Sequence, residues 1–423
     1  MKLFCVVLAV TLWCGLSLTA WAQRNDWPEF RGPDGQGHSV AKNVPTEWNA
    51  KKNIKWRVAI AGRGWSSPVI VAGKIYLTTA VADSAIDPIS LRALCLEAST
   101  GKTLWDVEVF RHAPSTLTKS LHEKNSLASP TPIVREEKLY VHFGHLGTAA
   151  LDLNGKVLWR QTEVKYLPVH GNGGSPVLEG NSLIFSCDGA VNPFVISLDA
   201  TTGAVQWRTP RDTPARQMFS FSTPLVIELA KNSESQRQVI SPGSGFVGAY
   251  DPATGKELWR VLYDAGFSVI PRPVFAHGLL FVSSGYDRPV LYAIRAAGAK
   301  GDATATSIAW TNKRSAPHTP SALVVGDEVY FVSDNGIATC ADAQSGKVHW
   351  VERLGGTFSA SPIFADGKIY YLNEDGLCTV IKPGKTFQRI AQNDLDEATL
   401  ASPAVTDGAL FIRSQGSLWR IGK

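Results

Sequence analysis

The chain has 423 residues, 44% of them hydrophobic and 19% charged, with 42 Lys and Arg against 37 Asp and Glu. That balance supports a sizeable core and excludes a disordered or collagen-like chain. The net charge of +5 is spread without a basic run, which argues against nucleic acid as a partner. Six cysteines occur without a C-x-x-C zinc pair or a C-x-x-C-H haem signature.

The first 22 residues read as a secretory signal. Lys2 precedes an apolar run from Leu3 to Leu18, and Ala20, Trp21 and Ala22 form an A-x-A cleavage site before Gln23. The run is too short and too early for a membrane span, and Cys14 lacks the small residue that a lipoprotein signal places before its cysteine. The expectation is a periplasmic or secreted protein, cleaved after Ala22, without a transmembrane span. Of the remaining cysteines, Cys95 and Cys340 hold the same place in different repeats, so Cys95, Cys187, Cys340 and Cys378 are read as buried free thiols. Residues 23–50 include NDWPEFRGPDGQGHSV, rich in Gly and Pro, and are expected to wrap the body of the protein.

Next comes NIKWRVAI around Trp56, a strand pattern with no unit before it. Eight units follow, each opened by an apolar strand near Pro68, Pro132, Pro176, Pro224, Pro273, Pro320, Pro362 or Pro403. Most close with a Gly turn and an aromatic residue, as in CLEASTGKTLW, LDLNGKVLW, LDATTGAVQW, YDPATGKELW and CADAQSGKVHW, ending at Trp105, Trp159, Trp207, Trp259 and Trp350; looser copies end at Trp310 and Phe387. A repeat of this length with several short alternating strands predicts an all-β chain, an eight-bladed β-propeller of four-stranded antiparallel blades in a single domain, 23–423. The last unit, ending in Leu418, Trp419, Arg420 and Ile421, lacks an outer strand, so the strand near Trp56 is expected to complete it and remove an open edge. The repeat Trp side chains are read as filler between sheets, and the polar stretch from Lys231 to Gln238 as an extended hairpin turn.

The motif in DPATGKELW and SLDATTGAVQW resembles that of the PQQ-like, quinoprotein-type eight-bladed propellers, over essentially the whole mature chain. WPEFRGPDGQG is similar to the opening of an exported planctomycete-type group of these proteins. The resemblance implies two activities. Quinoprotein dehydrogenases hold pyrroloquinoline quinone and a metal ion at the axial pocket, but this chain has no adjacent Cys-Cys pair, and none of its positions matches a cofactor-binding residue. BamB-type propellers instead act as non-catalytic scaffolds in outer-membrane protein assembly.

A site is expected on the face where loops between blades, and between second and third strands, gather around the axis. The connection from Asp106 to Ala128 carries His112, Lys119, His122, Glu123, Lys124 and Asn125; later ones carry Tyr166, His170 and Asn172, then Arg211 and Arg216, then Arg272, then Arg314 and His318. His145 and Asp188 belong to the other loops of that face. The candidate ligand-binding set is His122, Asn125, His145, His170, Asn172, Asp188, Arg272 and His318, suited to an anion or a polar ligand. Asp188, Asp334 and Asp375, each in an Asp-Gly or Asp-Asn-Gly sequence, are read as turn formers rather than metal ligands, and no residue is assigned to catalysis. The expected function is a monomeric, non-catalytic binding or assembly scaffold without cofactor, taking a protein partner or a small polar ligand. The alternative is a dehydrogenase of alcohols or sugars using PQQ with calcium; glycan processing ranks third.

Overall fold

The computed structural model describes residues 25–423 apart from 83, 85, 114–120, 232 and 233, so the expected signal and Lys119 lie outside the described residues. Strands run from Ile54 to Gly422 and assort into eight sheets. The first is built, edge to edge, from Val69–Val71, Lys74–Val81, Ile89–Glu97 and Thr103–His112. Every later sheet repeats that antiparallel order, and its first strand is the apolar segment at the Pro-led opening. First strands of most neighbouring sheets touch, among them those of blades 1 and 2, 3 and 4, 5 and 6, and 6 and 7, and that of the first sheet meets that of the eighth. The sheets therefore radiate from one axis as the blades of an eight-bladed β-propeller.

The eighth blade is closed as its missing strand requires. Ile54–Ala59 pairs antiparallel with Ser417–Gly422, setting Trp56 opposite Arg420 and Val58 opposite Leu418. Blade 4 departs twice from the pattern. A short parallel strand, Gly301–Asp302, covers its outer strand Glu257–Leu262. Its hairpin also keeps pairing to Lys231 opposite Glu234, so the segment read as a long polar turn is strand from Glu234 onward. Within it Ser235 and Arg237 are exposed, whereas Gln238 is buried and accepts from Trp259 Nε1.

Two hydrogen-bond systems join the blades. On the outside, the indole Nε1 of Trp56, Trp105, Trp159, Trp207, Trp310 and Trp350 each donates to a carbonyl in the Gly turn region of the next blade, at 2.9–3.1 Å. The turn glycine seats against that same ring. A Cβ on Gly203 would lie 2.6 Å from Trp159, and one on Gly346 2.7 Å from Trp310, and both glycines hold positive φ. Trp56 belongs to this series, so the N-terminal strand supplies both the missing edge and the missing clasp. Trp259 does not belong, because it bonds Gln238 Oε1 of its own blade beneath the additional strand.

Near the axis lies a second ring. The amide of Ser67 donates to Thr131 Oγ1, Thr131 to Ser175 Oγ, Ser175 to Thr223 Oγ1, Arg272 to Ser321 Oγ, Ser321 to Ser361 Oγ and Ser361 to Ser402 Oγ, at 2.8–3.0 Å. Most of these residues immediately precede the repeat's Pro, which holds them extended. All are buried, so each amide depends on the neighbouring hydroxyl. Thr131→Val keeps shape but orphans the Ser67 amide; about 1–3 kcal/mol of stability should be lost in urea unfolding, and an unchanged midpoint would refute the ring's role.

Candidate functional site

The axis is not an open channel. Residues 26–39 bridge to Ile70 in blade 1 and Phe364 in blade 7, and Pro28 O accepts from Val134 N in blade 2. Gln36 Oε1 takes the amide of Phe275 in blade 5, and Arg31 Nη2 donates to Ala322 O in blade 6. One short segment reaches blades on opposite sides only by lying across the axis. It enters and leaves on the Gly-turn face, where Asp26 Oδ1 accepts from Ala72 N and Lys42 O abuts Gly408. In between, Gly32, Gly35 and Gly37 hold positive φ and turn the chain back. Beyond the axis, Thr46 and Trp48 bond Asn393 of blade 7 on the way to the outer edge.

Arg272 grips this plug. It stands where the axial ring has a hydroxyl in most blades, and its guanidinium donates to Phe30 O, Pro224 O and, at 2.9 Å, to Glu29 Oε1. Both partners of that ion pair are buried. A Cβ on Gly35 would sit 2.5 Å from Arg272 Nη1. The plug is also latched by His38, whose Nδ1 lies 2.7 Å from Asp34 Oδ2 and Nε2 2.7 Å from Val324 O. Both neighbours are acceptors, so both contacts are satisfied only by the doubly protonated ring. Burial opposes that charge, but the bond and charge of Asp34, with the Val324 carbonyl, outweigh it and raise the His38 pKa.

On the opposite face, successive loops meet ring to ring. His122 stands edge to face with His170 at 5.4 Å, His170 with Phe219 at 5.4 Å and Phe219 with Phe267 at 5.6 Å; Phe267 meets Tyr286 at 5.5 Å and Tyr286 meets His318 at 5.1 Å. The backbone enforces this arc. His170 and Ser268 hold positive φ, Asn125 Nδ2 donates to His170 O, and the Phe219–Phe221 and Ser268–Val269 loops exchange amide bonds. Burial, with the neighbouring His122, holds the His170 pKa below its ordinary value. Asp334 anchors the far end, accepting from the His318 and Thr319 amides.

Beneath the arc lies a buried polar group. Tyr166 Oη donates to Asn172 Oδ1 at 2.6 Å, and Asn172 Nδ2 donates to Phe143 O and to His145 Nδ1. His145 therefore carries its proton on Nε2, and burial holds its pKa down. Asp188 sits 3.3 Å from Arg211 Nε with both side chains 1% exposed. Burial raises Asp188 to about 6 against the pull of Arg211. Asp188 is thus the anion of an inner ion pair rather than a turn former.

The structure sorts the sequence candidates into three places. His122, Asn125, His170 and His318 build or brace the arc; His145, Asn172 and Asp188 lie below it; Arg272 faces the plug. Phe219, Phe267 and Tyr286 were missed. Their signal was weak but present, since Phe267 and His170 hold the same place before their repeat's Pro. The four cysteines Cys95, Cys187, Cys340 and Cys378 are free and buried, and burial pushes Cys95 to about 11 and Cys340 to about 12.

A fused-ring quinone with a metal ion at the axis does not fit these residues. The plug and the Arg31 and Arg272 side chains occupy the axis, and the cavity beneath the mouth measures about 10 Å³, room for one water-sized guest. Among the described residues no group of three or more His, Cys, Asp or Glu is placed to hold a metal ion.

Fold and site together define a class: an eight-bladed propeller with a self-filled axis and an aromatic loop face. By sequence, residues 53–228, 243–300 and 294–386 match the family described as outer membrane protein assembly factor BamB, and the chain belongs to that family. No curated protein matches it. Among solved structures, BamB from Moraxella catarrhalis is 16% identical with a TM-score of 0.56, over 87% of this chain and 99% of that one. A quinohemoprotein alcohol dehydrogenase from Comamonas testosteroni is 12% identical at 0.55, over 96% and 82%. The computationally designed Ika8 protein is 12% identical at 0.58, over 86% and 98%. At such identities the likeness shows a shared fold and nothing more.

Arg272→Met leaves Glu29 buried with Arg135 Nη2 at 3.7 Å as its remaining cation; it should cost about 3 kcal/mol in urea and expose Trp27 to quenchers. His38 gives the plug a pH dependence. Its raised pKa means its contribution is whole below about 6.5 and is lost as pH rises through the folded value, so proteolysis of residues 26–39 should quicken toward alkaline pH. In His38→Asn that pH step should vanish.

Proposed function

We propose that the protein is a non-catalytic binding scaffold of the cell envelope, exported by residues 1–22, whose single propeller domain, 23–423, holds extended segments of a partner protein against the loop face. The aromatic arc carries this reading. Its rings come from several blades; Tyr286 is 54% exposed and His122 is exposed too, while Phe219 between them is buried. Edge-to-face stacking leaves ring faces and edges for further aromatic side chains. The family's description speaks of outer membrane protein assembly, and strands of outer-membrane barrels carry aromatic girdles. A partner segment of that kind suits the arc in chemistry.

The second reading, a PQQ-dependent dehydrogenase with calcium, draws on a dehydrogenase of the same fold but meets the filled axis. One set of measurements separates the two. Fluorescence anisotropy with a barrel-strand peptide ending in aromatic residues should show saturable binding that a Ser-substituted peptide lacks. Tyr286→Ala and His122→Ala should each weaken it about tenfold, or 1.4 kcal/mol, at unchanged melting temperature. With PQQ, calcium, alcohols and an acceptor dye, no dye should be reduced. Dye reduction in the absence of peptide binding would transfer the assignment to the dehydrogenase.

A further inference from the structure

The cavity of about 10 Å³ beneath the arc is bordered by Tyr166, Asn172, Ser186, Asp188, Ser220 and Ser222. Its side chains offer one kind of group. Ser220 Oγ donates its proton to Val269 O at 2.9 Å, Ser222 Oγ to Pro271 O at 2.7 Å and Tyr166 Oη to Asn172 Oδ1 at 2.6 Å. Ser186 Oγ shares a proton with Ser241 Oγ and accepts from Arg211 Nη2 at 3.1 Å. Asn172 has committed its amide nitrogen to Phe143 O and His145 Nδ1. Protons are spent on the surroundings, so lone pairs remain for the space inside.

Asp188 sharpens that bias. Its carboxylate is buried, and among the described residues neither oxygen meets a hydrogen-bond donor. Arg211 Nε stands 3.3 Å from Oδ1 but off the line of a hydrogen bond, and its remaining nitrogens are committed to Ser186 and Ser241. An uncompensated buried acceptor of this kind costs roughly 1–3 kcal/mol, and more when charged. A guest that only accepts electron density answers the oxygens of these side chains, whereas a water molecule brings two lone pairs that the same side chains cannot serve.

We infer that this cavity is a monovalent-cation site, taking an alkali cation or ammonium on the oxygens of Asp188, Asn172, Ser220 and Ser222. Oxygen ligands suit a hard cation. With one carboxylate in the site and the Arg211 guanidinium beside it, a divalent guest would meet too little negative charge, which limits the guest to a single charge. The volume is that of one water-sized sphere, which excludes choline and other substituted ammonium ions. Asn172 lies two residues after His170, and Ser220 and Ser222 flank Phe221 beside Phe219, so the bound ion ties together the loops that hold adjacent rings of the arc.

Crystals soaked in thallium(I) should show an anomalous peak in the cavity at bonding distance from Asp188, and a site filled by water alone would overturn the assignment. In solution at constant ionic strength, sodium, potassium or ammonium should raise the unfolding temperature saturably over choline chloride, with the order among them identifying the natural guest. Asp188→Asn should abolish the rise. Should that variant fail to fold, Ser222→Ala should shift the saturation midpoint at least about fivefold upward, a change of roughly 1 kcal/mol. A temperature rise equal in choline and in the three cations would refute the site.

Discussion

A propeller blade has two apolar faces and nothing of its own to cover them, so each sheet depends on its neighbours. The hydrophobic cluster containing Ile75 and Leu77 of blade 1, Leu410 and Ile412 of blade 8 and Tyr370 of blade 7 runs through three blades without a break. Burial of this kind is non-directional; what sets the spacing is the pair of hydrogen-bonded rings, Trp to turn carbonyl outside and amide to hydroxyl inside. The rings also explain the repeat. Ser or Thr before Pro, and Gly before the closing Trp, are each half of a contact whose other half lies in the preceding blade.

Arg272 marks where the repeat gives way to something else. Its amide still joins the axial ring through Ser321 Oγ, while its side chain, freed from the usual hydroxyl role, reaches into the axis to hold Glu29. A buried ion pair of this sort adds little net stability over an apolar pair but is costly to break. Its consequence is positional: with Arg31, the three plug glycines and the His38 latch, it seats residues 26–39 in one orientation. The same segment fills the axis from the Gly-turn side and leaves the loop face above it uncovered by the plug.

That face has an outer and an inner layer. Outside are rings from successive loops, stacked edge to face and braced by exchanged backbone bonds. Inside are Tyr166, Asn172, His145, Asp188 and Arg211, polar groups that must satisfy one another because water does not reach them freely. Coupling between the layers is short-range, since Asn172 and Ser220 sit within a few residues of His170 and Phe219. The loops that carry the arc are therefore held in place by the polar layer beneath.

The blade count, the strand order and the closure through Trp56 were all legible in the amino-acid sequence, because they follow from local alternation and from a repeat that recurs eight times. The loops that bear the aromatic arc were legible too, as the places where repeats differ. What those side chains do was decided by the tertiary structure alone. Arg272 and His170 look alike as polar residues ahead of a Pro, yet one turns to the axis and the other to the surface, according to which partner lies opposite. Phe219, Phe267 and Tyr286 come from separate loops and meet because the blades are wound around one axis. Asp188 reads as a turn and becomes half of a buried ion pair when Arg211, from the far end of its own blade, folds back against it. Periodicity records contacts that every blade makes; a contact made once, between residues distant in the chain, leaves no repeated trace.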